Sequence, residues 1–165
     1  MTAIEKNIVG RDNQNRALIL SRFAPYRIVA LGHAMGDRLA RAYADENVSI
    51  NEWRVLAVIA QSETIAARDV VRLTPMDKMT VSRTVAGLEK KGIAERSVDS
   101  RDRRVNMLAL TQEGRALYAR IASMALEYEE EVLSALSAND RENLDRILTI
   151  LTKTTGAAGC DSSVR

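Results

Sequence analysis

The chain has 165 residues, 46% of them hydrophobic and 28% charged, which is the mixture of one folded domain or at most two small ones. A single cysteine, Cys160, cannot form an internal disulfide, and with the single histidine, His33, it cannot make a His/Cys zinc site, so no metal is expected. There is no Gly-rich phosphate loop and no G-x-S-x-G elbow, so the reading is a non-enzyme with no cofactor. No apolar run approaches the ~20 residues that span a bilayer, and Met1–Lys6 carries no apolar signal core; the expectation is a cytoplasmic protein without a membrane partner.

The net charge of +2 conceals an uneven distribution. Residues 1–63 carry 8 basic and 7 acidic side chains, residues 64–110 carry 10 and 6, and residues 111–155 carry 5 and 8. A positive middle beside a negative C-terminal third is what a surface turned toward nucleic acid, with a differently employed flank, would show.

In chain order, Ser21 to Asp45 reads as one long helix. Ile28, Leu31, Met35, Leu39 and Ala42 form one apolar stripe, and Phe23, Tyr26, Ala30 and His33 lie on roughly the opposite side. A helix covered on two sides is easier to bury in a dimer than in a small monomer. Ser49-Ile50-Asn51-Glu52 is a capping box that opens the apolar run Trp53–Ala60. A short helix from about Ala66 to Leu73 follows. Thr74-Pro75-Met76-Asp77 starts another, with Thr74 and Asp77 both eligible as its N-cap; it ends at Gly92. Ile93–Val98 and Arg104–Leu110 are two extended segments around a charged turn. Thr111 caps a long helix, and Ser137-Ala138-Asn139-Asp140 opens a last one, after which the tail beyond Thr155 is expected to fray.

Three helices followed by a hairpin with a charged tip is the order of a winged helix-turn-helix, whose third helix enters the DNA major groove. On a helical wheel Val81, Val85 and Leu88 form the buried side. Met79, Arg83, Ala86 and Lys90 fall outward, with Thr80, Ser82 and Gly87 at the margins, and Lys78 in the first turn completes the set of candidate DNA contacts. Arg83 has the reach and fork geometry for a guanine edge, while Thr80 or Ser82 suits a phosphate or a thymine methyl. At the hairpin tip Arg101, Arg103 and Arg104 are interleaved only with Asp102, and a protruding Arg suits a narrow minor groove. Asp102 would then orient a neighbouring guanidinium. The competing reading of both segments is a solvated surface.

Residues Ser49 to Tyr118 resemble the MarR family of bacterial transcription regulators. The likeness is carried by Met76-Asp77-Lys78-Met79-Thr80-Val81-Ser82-Arg83-Thr84-Val85-Ala86-Gly87-Leu88-Glu89-Lys90-Lys91-Gly92 as recognition helix. It continues in Val98-Asp99-Ser100-Arg101-Asp102-Arg103-Arg104 as wing, and in Leu110-Thr111-Gln112-Glu113-Gly114 as the start of the next helix. The resemblance implies a mainly α fold with a small β-hairpin wing. It also implies a homodimer on a pseudo-palindromic double-stranded operator, with half-sites ~10 bp apart. The domains would be a dimerisation helix region over residues 1–48, the winged domain over 49–110, dimerisation helices over 111–155 and a flexible tail over 156–165. By the same analogy Arg83 reads the major groove, Arg103 reaches the minor groove, and Asp77 pairs with Arg104.

Members of that family are usually repressors, and many release DNA when a small organic anion, often an aromatic carboxylate, enters a cleft beside the winged domain. The candidate ligand residues here are Tyr26, Arg27, His33, Trp53 and Arg54: the arginines for a carboxylate, Tyr26 and Trp53 for stacking, His33 for a hydrogen bond. Trp53, just inside a capping box, reads equally as a core anchor, and His33 as an interface histidine. Other members sense oxidation through a first-helix cysteine, which this chain lacks. The alternatives to a ligand-responsive repressor are an activator or an anti-silencer, a winged-helix module for protein interaction, and, least supported, a small helical enzyme.

Overall fold

The computed structural model of the chain describes residues 18–99 and 102–157. It divides between Gly36 and Asp37, inside helix α1 (Ala24–Ala42), into two compact units. In the first, a single 3₁₀ turn (Leu20–Arg22) precedes α1, and Pro25 sits in the helix's first turn, where its missing N–H leaves no bond unmade. Ile28 and Leu31 of the expected apolar stripe are exposed, as are Phe23 and Tyr26 of the opposite side and Val29, so both sides of the helix are uncovered within this unit. The helix stops short of the expected Asp45. Tyr43 leaves helical geometry, Ala44–Glu46 makes one 3₁₀ turn, and Asn47 closes it in the left-handed region with φ 53°.

The second unit holds α2 (Ile50–Ile59), β1 (Ile65–Ala66), α3 (Ala67–Leu73), α4 (Lys78–Lys90), β2 (Ala94–Val98), β3 (Asn106–Leu110), α5 (Gln112–Leu133) and α6 (Ala138–Thr155). The Ser49–Glu52 capping box forms with both reciprocal bonds. Ser137 and Thr111 cap α6 and α5 through their side chains. Between the two candidate caps of α4 the structure selects Asp77. Thr74 is buried and donates its hydroxyl to the Val70 carbonyl, 2.8 Å away, closing the end of α3 instead. The antiparallel sheet has the order β1-β3-β2, with Ala94 opposite Leu110 and Val98 opposite Asn106. Strand β1 was not expected: two residues cannot display an alternation, and their strand character comes from pairing Ile65 with Leu108.

The core joins Val55, Leu56 and Ile59 of α2 to Val70 of α3, Val81, Val85 and Leu88 of α4, Leu108 and Leu110 of β3, and Leu117 and Ile121 of α5. These helices and the sheet compose a winged helix-turn-helix. Helix α6 has no buried residue, and Ile147, Leu148, Ile150 and Leu151 are exposed. Gly156 ends it with a left-handed φ of 64°. Cys160 and the tail from residue 158 lie outside the described residues. Among the described residues no helix is long and apolar enough to cross a membrane.

One junction fixes the wing against α5. The Thr111 amide donates to the Ile93 carbonyl at 3.1 Å, its hydroxyl donates to the Gly92 carbonyl at 2.6 Å, and that hydroxyl oxygen accepts from the Gly114 amide at 3.0 Å. A Cβ on Gly114 would stand 2.0 Å from the Ile93 carbonyl oxygen. Gly114→Ala therefore forces the strand and helix apart, at a cost of roughly 1–3 kcal/mol. The expected outcome is a thermal midpoint several degrees lower by circular dichroism; an unchanged midpoint would refute the close approach.

Candidate nucleic-acid interface

Helix α4 separates its two sides cleanly. Val81, Val85 and Leu88 are buried, whereas Lys78, Met79, Ser82, Arg83, Ala86 and Lys90 are exposed. Both ends of the helix are fixed. At the start, the Asp77 carboxylate accepts the Thr80 amide at 2.9 Å and the Thr80 hydroxyl at 2.6 Å. These Thr80 bonds hold the Asp77 carboxyl below its usual range. At the far end, the Lys91 ammonium donates to the Asn47 carbonyl at 2.7 Å and to both Glu52 oxygens, at 2.8 and 2.9 Å. Burial pushes Glu52 up, but the bonds from Lys91 and Ser49 outweigh it and leave the carboxyl below its ordinary 4.5.

Two sequence expectations change here. The Thr80 hydroxyl spends its proton on Asp77, so it has none to give a phosphate while the cap is intact. The Asp77–Arg104 pair is not formed: Asp77 is satisfied by its own helix, and no ion pair among the described residues includes Arg104. A carboxylate three residues from two free donors caps locally before it reaches across to a wing.

The wing tip is shaped by its aspartates. Asp102 donates its amide to the Asp99 carboxylate and accepts the Arg104 amide on its own carboxylate, both at 2.9 Å. Asp102 thus bonds the backbone of Arg104, and the expected role of orienting a guanidinium is not what its carboxylate does here. Asp102, Arg103 and Arg104 are exposed, and Arg101 lies outside the described residues.

Ion pairing sorts the cations of this region. Arg96 is bound by both Glu89 oxygens at 3.0 and 3.1 Å, Lys91 by Glu52, and Arg72 by Asp69. Arg68, Lys78, Arg83, Lys90, Arg103 and Arg104 take part in none of the ion pairs among the described residues. Lys78, Ser82 and Arg104 are brought together with Arg68 and Arg96 around a cleft of about 470 Å³ floored by valines. Met79, Arg83, Ala86 and Lys90 occupy the open face of α4 instead. Sequence reading missed Arg68 and Arg96, whose only signal was a position on elements framing the expected recognition helix.

The ligand candidates fall into two groups. Tyr26, Arg27 and His33 are exposed on α1 in the first unit. In the second, half-buried Trp53 stacks on Tyr118 with ring centroids 5.9 Å apart and lies tilted against Tyr43 at 6.1 Å, so it is an aromatic anchor. Arg54 is half-buried and donates to the Asn51 side chain at 3.4 Å. Tyr43, fully buried, has a hydroxyl with no hydrogen-bond partner among the described residues. Burial raises its phenol above the usual range, against the nearby charge of Arg54. Tyr43 and Tyr118 were not singled out in the sequence, because their rings meet Trp53 only through folding.

A rigid outward helix with unpaired cations, beside a basic wing, defines a winged helix-turn-helix protein of the DNA-binding class. Residues 46–105 match the sequence model of the MarR family. HTH-type transcriptional regulator BilQ of Clostridium symbiosum is 26% identical over 115 residues, 70% of this chain and 80% of its own length. The transcriptional activatory protein BadR of Rhodopseudomonas palustris is 26% identical over 134 residues, covering 78% and 75%. Among solved structures, Bordetella bronchiseptica BpsR superposes with a TM-score of 0.74 at 21% identity, over 86% of this chain and 99% of that one. Over its winged helix-turn-helix the chain is thus similar to MarR-family transcription regulators.

The acidic groups that hold the helix ends generate a pH dependence. Glu46, bonded by Arg120, and Glu52 and Asp77 all have folded values below their unfolded ones. Their stabilisation is complete above the ordinary carboxylate range and is lost as pH falls through the lowered folded values. Thermal midpoints are therefore expected to stay level from neutrality to about pH 5 and to fall below it. Glu52→Gln should lower the neutral plateau and flatten the acid limb; a Glu52→Gln melt series parallel to wild type would remove Glu52 from this account.

Proposed function

We propose that the protein is a homodimeric repressor that binds a pseudo-palindromic operator and is released by a small organic anion. The observation that carries the DNA-reading part is the outward face of α4, where unpaired Arg83 stands between small residues Ser82 and Ala86. An Arg fork with low side chains beside it can approach a guanine edge closely. The exposure of Arg103 at the wing tip supports a role for it in a minor groove. Homodimerisation is supported by the apolar faces each unit leaves uncovered: Phe23, Ile28, Val29 and Leu31 in one, Ile147, Leu148, Ile150 and Leu151 in the other.

The ligand part rests on Trp53, Arg54 and the Tyr43 hydroxyl, which has no hydrogen-bond partner among the described residues, in the second unit; Tyr26, Arg27 and His33 are separate candidates in the first. It is supported by the BpsR structure, which is described as regulated in DNA binding by 6-hydroxynicotinic acid. Activation is the second reading, favoured by the relative described as an activatory protein.

The direct test is a fluorescence-anisotropy titration of the full chain on DNA from upstream of its own gene, near physiological salt, with a scrambled duplex as competitor. Nanomolar binding with at least ~10³-fold preference is expected, followed by release on adding aromatic acids. Weak binding, equal on both duplexes and lost with salt, would reduce the surface to a general DNA-binding one. Arg83→Ala should lose roughly 1–3 kcal/mol of discrimination at one base pair; equal loss on every sequence would make Arg83 a phosphate contact. Arg103→Ala should lower affinity with the dimer intact by sedimentation, and unaltered DNA binding would remove the wing from the interface.

A further inference from the structure

We propose that Met79 is a specificity-determining residue that reads the 5-methyl group of one thymine in each half-site. This rests on the reading of α4 as the helix that enters the major groove. Met79 is the second residue of the helix after its Asp77 cap, and the N-terminal residues of a recognition helix are those that meet base edges. It is 61% exposed, a large apolar side chain on an open face otherwise made of Arg83, Ala86 and Lys90. The buried side of α4 is already filled by Val81, Val85 and Leu88, so Met79 is not spare core.

The chemistry on offer in the major groove narrows the target. A thioether side chain brings no strong hydrogen-bond donor and only a weak acceptor, so it gains little from guanine, cytosine or adenine edges. The thymine methyl is the one apolar group displayed there. An unbranched, polarisable side chain conforms to it readily. The cap also fixes where that contact falls. Because Asp77 locks the first turn, Met79 and Arg83 lie on one face, four residues and hence about 6 Å apart along the axis. With base pairs stacked ~3.4 Å apart, the thymine lies within about two base pairs of the one read by Arg83.

The experiment starts from duplexes selected by the full-length protein from a randomised pool. Each thymine of the enriched site is replaced singly by deoxyuridine, which removes only the methyl group, and affinities are measured by fluorescence anisotropy. At one position per half-site, within two base pairs of the position whose discrimination Arg83→Ala abolishes, wild type should lose roughly three- to five-fold, the worth of one methyl group withdrawn from water. Met79→Ala should bind thymine and deoxyuridine duplexes equally, and Met79→Leu should restore the difference. Circular dichroism melts of both variants should match wild type, since the side chain lies outside the core. A selected site indifferent to every deoxyuridine, or a methyl dependence that survives in Met79→Ala, overturns the proposal while leaving the DNA-reading function intact. A pool that never enriches overturns that function and this proposal together.

Discussion

The structure depends on holding one helix at a single rotation about its own axis. Turning α4 by one residue would carry Val81, Val85 and Leu88 out of the core and Arg83 toward it. Apolar burial alone sets that rotation only broadly, because Val and Leu tolerate some repacking. The caps tighten it. Asp77 takes both donors of Thr80 at one end, and Lys91 ties the other to Asn47 and Glu52, at the entrance to α2. Glu52 thereby serves two elements, closing the capping box of α2 and anchoring the end of α4. A helix so held can present side chains to a groove without first paying the entropy of ordering itself.

Charge is allocated by the same arrangement. The carboxylates Glu52, Asp69 and Glu89 neutralise Lys91, Arg72 and Arg96, three cations that brace the helices and sheet of the winged domain. Arg68, Lys78, Arg83, Lys90, Arg103 and Arg104 keep their charge uncompensated by any ion pair of the described residues. A net charge of only +2 is thus compatible with a locally positive surface, because the acidic residues are spent elsewhere. Much of that spending is in the C-terminal third, where Glu130 accepts from both terminal nitrogens of Arg141 at 2.7 and 2.9 Å and so bridges α5 and α6. Arg120 and Glu46 likewise tie α5 to the turn that follows α1, at 2.8 and 2.9 Å.

The aromatic group around Trp53 illustrates a different division. Trp53 satisfies the expectation of an anchor, yet it also brings Tyr118 and Tyr43 together from α5 and from the end of α1. Tyr43 is the costly member, a buried hydroxyl with no hydrogen-bond partner among the described residues. Its neighbourhood to Arg54 gives the proposed effector site a polar feature that the list of sequence candidates lacked.

Legibility followed the range of the interactions. The capping box at Ser49, the caps at Thr111 and Ser137, the stop at Gly92 and the inward face of α4 are all written within a few residues, since each depends on hydrogen bonds or periodicity inside one turn or one helix. The sequence by itself therefore determined the order of the helices, the outward position of Arg83 and Met79, and the winged-helix class. It left open the cap of α4 and suggested partners for Asp77 and Asp102 that do not form. Tertiary structure decided those points: Thr74 is withdrawn by burial, Asp77 is taken by Thr80, and Asp102 by the backbone of its own turn. It alone created β1, the Lys91–Glu52 clasp and the Trp53–Tyr118 stack, because these join residues distant along the chain whose meeting no local pattern records.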